Sequence, residues 1–391
     1  MISYEPLFRT MKEKGITSYR LQQMGFNRVV LARELSLEEI QDIHKAVPDV
    51  ELEVFVHGAL CVSYSGVCYA SQHCFNRSAN RGECAQFCRL KFDLLDADGK
   101  EIVHQRHLLS LKDLCQIDAL EALADAGAAF FTDDGGYVAD DKVMEAAMER
   151  VAALNMVVCQ HAMDPAELKG GVIRDCALAR KLGLPIVSVE TETKAIRRDL
   201  SLVRETGCRL HVQHISTAEG VQLVRDAQRE GLPVTAEATP HHLVFACDEL
   251  EADDVNFKMA PPLGNREDRA ELRKAVKEGA LMFATDHAPH TAEAKAGGFA
   301  RAANGIIGLE TAAAATYAVM VEGEGMAVDA WARAWHGLPL SLLPRRLSEQ
   351  VTAQSRFEVG PLRPVDISGF ASRSRNCPWN GMEFALNPLE L

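Results

Sequence analysis

Five apolar runs of strand length, each closing on carboxylates or imidazoles, set the strongest limit on what this chain can fold into. The clearest is residues 281–290 (LMFATDHAPH), which ends in Asp286, His287 and His290 with Pro289 stopping the strand. Residues 128–134 (AAFFTDD) close on two aspartates followed by Gly135 and Gly136. Residues 156–161 (MVVCQH) end on His161, and residues 210–214 (LHVQH) carry His211 and His214, expected to point to one face of a strand. Residues 234–242 (VTAEATPHH) end on a histidine pair. Helix-like stretches at 141–154, 170–182, 218–230 and 266–278 separate these runs. Strands alternating with helices predict βαβ units and a parallel sheet. In a β/α barrel the C-terminal strand ends are where sites are built.

One such run is weak support for a site, because an aspartate after a strand is as often a helix cap as a ligand. Five together carry more weight. Neutral imidazole and carboxylate oxygen suit zinc or a similar divalent ion, and three protein ligands plus water make a catalytic centre.

From about residue 126 to 388 the chain resembles the dihydroorotases of the amidohydrolase superfamily. The matching segments are FTDDG, HVQHISTAEGV, EATPHHL, FKMAPPL, ATDHAPHTAEAK, NGIIGLET and SRNCPWNGMEF. The resemblance implies a distorted barrel that holds one or two zinc ions and opens a cyclic amide. By position it implies Asp134 as the carboxylate shared by the metals, chosen over Asp133 on its spacing to His161. It implies His161 and His214 as ligands of the second metal, and Asp286 as ligand of the first metal and general base. It also implies that His290, with the backbone near Asn304 and Gly305, holds the substrate carboxylate. The chemistry is consistent: a metal polarises the poorly electrophilic amide and lowers the pKa of bound water, and a carboxylate at its edge passes the proton on.

The sequence departs from that family at defined places. The family's His-x-His-x-Arg motif of the first barrel strand is missing upstream of Asp134, where His104 and His107 have the wrong spacing. FKMAPPLG has Ala260 and Gly264 where the family usually has Asn and Arg, and His161 sits in an atypical CQHAMD context. The implied hydrolase is therefore an impaired one.

A second resemblance lies in front. Cys61, Cys68, Cys74, Cys84 and Cys88 stand in LEVFVHGALCVSYSGVCYASQHCFNRSANRGECAQFCR. This stretch, within residues 22–125, resembles the collagenase-like peptidase family of unknown catalytic type, whose members include enzymes of RNA hydroxylation. It implies Cys61, Cys68, Cys84 and Cys88 as ligands of an iron–sulfur cluster of the 4Fe-4S kind, with Cys74 left over. Read without the resemblance, clustered thiols still suggest zinc or an iron–sulfur cluster, against buried free thiols as the blander reading. Arg77, Arg81 and Arg89 interleave with them and could meet RNA or phosphate, or serve as solvated loop residues.

These readings predict an α/β chain, barrel-like but incomplete, assembled from parts of two barrel families. Strands near 29–32 and 52–56 plus five behind give about seven, one short of a closed barrel. Residues 1–22 or 91–109 are the candidates to fill the gap. The expected organisation is a cysteine-cluster segment at 1–125, a dihydroorotase-like segment at 126–345, and a poorly packed remnant of a small β-sandwich at 346–391. A formal charge of −13 argues against general attraction to nucleic acid or membranes. Eleven cysteines without an apolar leader before MISYEPLFRTMKEKG predict a cytoplasmic protein. The functional expectation is interconversion of dihydroorotate and N-carbamoyl-aspartate in pyrimidine biosynthesis, by a chain able to form a homo-oligomer. The alternatives are the four-cysteine protein, acting on RNA, as a redox carrier or as a peptidase, and a chimeric reading frame without function.

Overall fold

The computed structural model describes residues 28–31, 35, 37–46, 51–54, 57–58, 92–95, 101–106, 114–115, 120–125, 127–134, 136–349, 351 and 357–388. The five clustered cysteines, Arg77, Arg81, Arg89, His107 and residues 1–22 lie outside the described residues. The chain divides into two compact units, residues 1–128 and 129–391.

In the first unit Arg28–Val30 pairs in parallel with Glu51–Glu53 across the helix Leu37–Ala46, a small βαβ arrangement. Phe92–Leu95 and Glu101–Arg106 pair antiparallel with each other. The region 91–109, read from sequence as a hairpin and a candidate to fill the gap, contributes this antiparallel pair and no parallel strand among its described residues. His57–Gly58 and Leu114–Cys115 form a further antiparallel pair, and a short helix, Leu120–Asp125, follows.

The second unit is built on a five-stranded parallel sheet. Its strands are β1 (Phe131–Thr132), β2 (Val157–Gln160), β3 (Arg209–Val212), β4 (Val234–Ala238) and β5 (Met282–Phe283), neighbours in chain order. Helices α1 (Asp141–Ala153), α2 (Glu190–Thr206), α3 (Ala218–Arg229) and α4 (Arg266–Lys277) connect them. All four residues of β2 are buried, as a parallel strand covered on both faces requires. Five strands do not close a barrel, so the sheet remains an incomplete one.

Local chemistry explains the helix starts. Asp140 caps α1 by accepting from the amides of Lys142 and Val143, and Thr217 caps α3 through Gly220. Asn265 and Asp268 form a reciprocal capping box on α4. Val221, Val224 and Ala227 make the buried stripe of α3 at helical spacing.

One expected helix is shorter than its sequence suggests, and another stretch changes helical type. The stretch 170–182 is helical only over Ala177–Leu182, because the chain before it runs extended, with Val172 N donating to Pro185 O and Val187 N to Ile173 O. The stretch 311–318 is helical over Ala312–Thr316 and then widens into a π-helix, Tyr317–Gly323.

The C-terminal strands β6 (Phe357–Pro364) and β7 (Glu383–Pro388) pair antiparallel with a bulge between Val359 and Arg363. The expectation of poor packing fails for half of this region. Trp379 is fully buried and joins Cys377, Phe384, Ile307 and Ala315 in one apolar cluster, with its ring 4.8 Å from that of Phe245. The other half fits the expectation: β6 lies in solvent, with Val359 and Leu362 about 60 % exposed. A buried indole in a filled cluster leaves a large void when removed. Trp379→Ala is expected to cost about 3–5 kcal/mol in urea unfolding, and a loss below about 1 kcal/mol would show that the region contributes little.

Candidate metal centre

Beyond the C-terminal ends of β1, β2 and β3, Asp134, His161 and His214 each turn one ligand atom toward a common point. Those atoms lie within 4.8 Å of one another, the one such group of three among the described residues. His161 Nδ1 is 2.9 Å from His214 Nε2 and 3.4 Å from Asp134 Oδ1. The two imidazoles meet edge-to-face. Asp133 plays another part: it accepts from the His161 amide at 2.5 Å and from Val138, and so fixes the chain that carries His161. Burial above all pushes its carboxyl up to about 7.

His211 and His214 do not share a strand face. They are three residues apart, an odd spacing that alternation sends to opposite faces, and β3 ends at Val212 before His214 is reached. His214 instead takes a left-handed backbone, φ +35°, that swings its ring to the site. Glu237 on β4 secures both: it accepts from His211 Nε2 at 2.9 Å and from the His214 amide at 3.3 Å. Just beyond, buried Glu192 of α2 accepts from the amides of Ser216 and Thr217 (2.9 and 3.0 Å) and from both hydroxyls (2.5 Å each). Neither glutamate belongs to the expected site. The spacing of His214 from Ser216 and Thr217 hints at a turn to be held, but nothing local names its distant acceptor.

The electrostatics favour positive charge here. Burial opposes protonation of His214, yet the carboxylates of Asp134, Asp286 and Glu237 override it and raise its pKa to about 9. Burial and the charged His214 lower His161 to about 4. One cationic ring therefore sits among three carboxylates. A divalent ion bound by neutral rings would supply the same sign of charge, and two imidazoles with a carboxylate are a donor set that zinc accepts.

Asp286, also at positive φ (+45°), falls outside the group of three. Its Oδ2 lies 3.8 Å from His241 Nε2, and burial raises its carboxyl to about 6. His287 accepts at Nδ1 from the amides of Gly308 and Leu309, a structural role. His242 is likewise tied up, between Thr239 Oγ1 and Pro261 O.

His290, Asn304 and Gly305 do come together: His290 Nε2 is 2.6 Å from Asn304 O. That contact makes Nε2 the N–H donor. The Gly305 amide donates to Lys258 O, and Lys295 Nζ donates to Lys258 O, Ala303 O and Gly305 O. Asn376 completes the rim by accepting from the His290 amide and donating to Ala288 O and Gly305 O. Gly264, where an arginine is usual in the resembled family, has no room for a side chain. A Cβ there would stand 2.6 Å from Asp268 Cβ and 2.7 Å from Ser216 O.

Comparisons with known proteins relate the chain to two families, and the first match crosses the boundary between the two units. The profile of peptidase family U32 matches residues 12–161, a span wider at both ends than the expected 22–125. Dihydroorotase of Geobacillus thermodenitrificans is 40 % identical over 265 residues, 66 % of this chain and 62 % of its own length. Dihydroorotase of Bacillus thuringiensis is 39 % identical over 266 residues, again 62 % of its length. The chain therefore spans about 62 % of these relatives. L-hydantoinase from Arthrobacter aurescens superposes with a TM-score of 0.64 at 20 % identity, covering 95 % of this chain and 77 % of its own. Dihydroorotase of Saccharomyces cerevisiae, in complex with 5-fluoroorotic acid, gives 0.54 at 16 % identity, over 70 % of this chain and 77 % of its own. The chain is a two-part chimera: a front similar to peptidase family U32 and a remainder similar to dihydroorotases, on the hydantoinase-type fold.

Glu192 supplies four accepting contacts from one carboxylate. Glu192→Gln turns one oxygen into a donor that faces other donors, and is expected to lower unfolding free energy by about 1–3 kcal/mol in urea titration. An unchanged midpoint would mean that the turn after His214 is held by something else.

Proposed function

We propose that this chain is a metal-dependent hydrolase of cyclic amides, of dihydroorotase type, with reduced turnover. The observation that carries the reading is the gathering of Asp134, His161 and His214 at the ends of adjacent parallel strands. It lies in a unit similar to dihydroorotases. The substrate class is dihydroorotate, opened to N-carbamoyl-aspartate, and zinc is the metal that the donor set suits.

In this reading Asp134, His161 and His214 would hold a divalent ion, and Asp286 would serve as the neighbouring base. A divalent ion, when bound, would supply polarisation of the amide carbonyl and a more acidic water. Asp286, whose carboxyl burial raises to about 6, exchanges a proton close to neutrality. It takes one from the attacking water and returns it to the leaving nitrogen. The rim of His290, Asn304 and Gly305 faces the substrate carboxylate. His290 Nε2–H is engaged with Asn304 O, so a carboxylate is met by His290 only after its other nitrogen is protonated or the ring turns. Together with the missing His-x-His-x-Arg, this is the ground for the reduced turnover in this proposal.

The test is zinc content and dihydroorotate hydrolysis of the purified full chain. His161→Ala and His214→Ala are each expected to remove measurable hydrolysis. Turnover unchanged in His214→Ala would sink the reading.

The match of residues 12–161 to peptidase family U32 favours a second reading. In it Cys61, Cys68, Cys84 and Cys88 hold a 4Fe-4S cluster, with RNA or a peptide as the partner. Protein purified without oxygen is then expected to be brown and to carry iron; colourless, iron-free protein rules the reading out. A chain with neither hydrolysis nor bound metal is a chimeric reading frame without function.

A further inference from the structure

His241 stands apart from the other buried histidines at the strand ends. His211 and His242 each have both ring nitrogens engaged. His241 is 1 % exposed, and its Nε2 has no hydrogen-bond partner. An unsatisfied buried nitrogen costs about 1–3 kcal/mol, so native proteins seldom leave one without a reason.

Position supplies the reason. Thr239 caps the short helix Pro240–Val244 that follows β4, which places His241 just beyond the strand end. There its Nε2 faces Asp286 Oδ2 at 3.8 Å. That separation is too long for a hydrogen bond, which requires about 3.2 Å or less. It is close to the spacing of two ligands on one ion. Donors at about 2.0–2.2 Å from zinc in tetrahedral geometry stand about 3.4 Å apart, so a shift of a few tenths of an ångström suffices. Burial keeps the His241 ring neutral, the state in which a histidine binds metal. His214 Nδ1 is also buried without a partner.

We propose that His241 and Asp286 together ligate a divalent cation beside the group formed by Asp134, His161 and His214. Resting on the hydrolase reading, this gives Asp286 an imidazole partner from within the same unit. The two histidines usual on the first barrel strand are absent from the sequence before Asp134.

The experiment titrates the full chain with zinc chloride against a chelator, and separately with cadmium followed by cadmium NMR. Cadmium NMR separates nitrogen and oxygen ligation from sulfur ligation at the cysteines. His241→Gln is expected to weaken the nitrogen/oxygen site by more than about tenfold and to shrink the zinc-induced rise in melting temperature. His336→Gln, on the exposed surface, is expected to match the original chain. Affinity and cadmium spectrum unchanged in His241→Gln would overturn the proposal. If that variant does not fold, nitrogen NMR of the original chain decides: zinc must move the His241 Nε2 resonance, and an unmoved resonance overturns the proposal. Loss of binding in His161→Ala without loss in His241→Gln defeats this inference alone. A chain with no nitrogen/oxygen site at all defeats the hydrolase reading with it.

Discussion

A buried carboxylate with four donors around it is the contact on which the rest of this architecture leans. Glu192 is almost fully buried and accepts from two amides and two hydroxyls of Ser216 and Thr217. Those residues begin α3, and two positions earlier stands His214 with its left-handed backbone. A non-glycine residue held there costs about 1–2 kcal/mol, so neighbouring contacts must over-determine it. Glu192 does this from α2, Glu237 from β4, and Asp268 of α4 accepts from the Ala218 amide at 2.8 Å. Three carboxylates from three elements converge on one turn.

The same turn decides the site's charge. Asp134, Asp286 and Glu237 hold His214 cationic although burial disfavours it. The fold thus stabilises a positive charge at the point where His161 and Asp134 also aim their ligand atoms. A proton on His214 and a bound divalent ion answer the same demand, and binding the ion must release that proton. The orphaned nitrogens of His214 and His241 extend the same environment toward Asp286.

Much of this was legible in the sequence, and the rest was hidden for identifiable reasons. Alternating apolar runs and helices located the five parallel strands and placed α1, α3 and α4 within a residue or so of their observed ends. Asp134, His161 and His214 were legible because each follows the end of its strand by one or two residues. The helix α2, the longest of the unit, was not among the expected helices. Its first turn buries Thr191, Glu192 and Thr193, and Asp199 is buried further on, so polar residues on the inward face mask its start, while Ile196, Leu200 and Val203 keep the helical spacing over the rest. Glu237 was hidden by the reverse effect. In VTAEA it reads as the outward polar residue of an alternating strand, while the structure turns it to His211 and His214. The one-face expectation for His211 and His214 fails twice over: residues three apart alternate to opposite faces, and His214 lies past the end of β3.

Buried Asn376 shows what the C-terminal segment does for the rest of the molecule. Its side chain accepts from the His290 amide, 86 residues away in sequence, and donates to Ala288 O and Gly305 O. An amide that accepts on one side and donates on the other has no close substitute among the side chains. The lip formed by His290 and Gly305 is therefore keyed to a single residue supplied from far downstream. Trimming the tail would act on that lip as directly as a substitution within it, with no ligand touched.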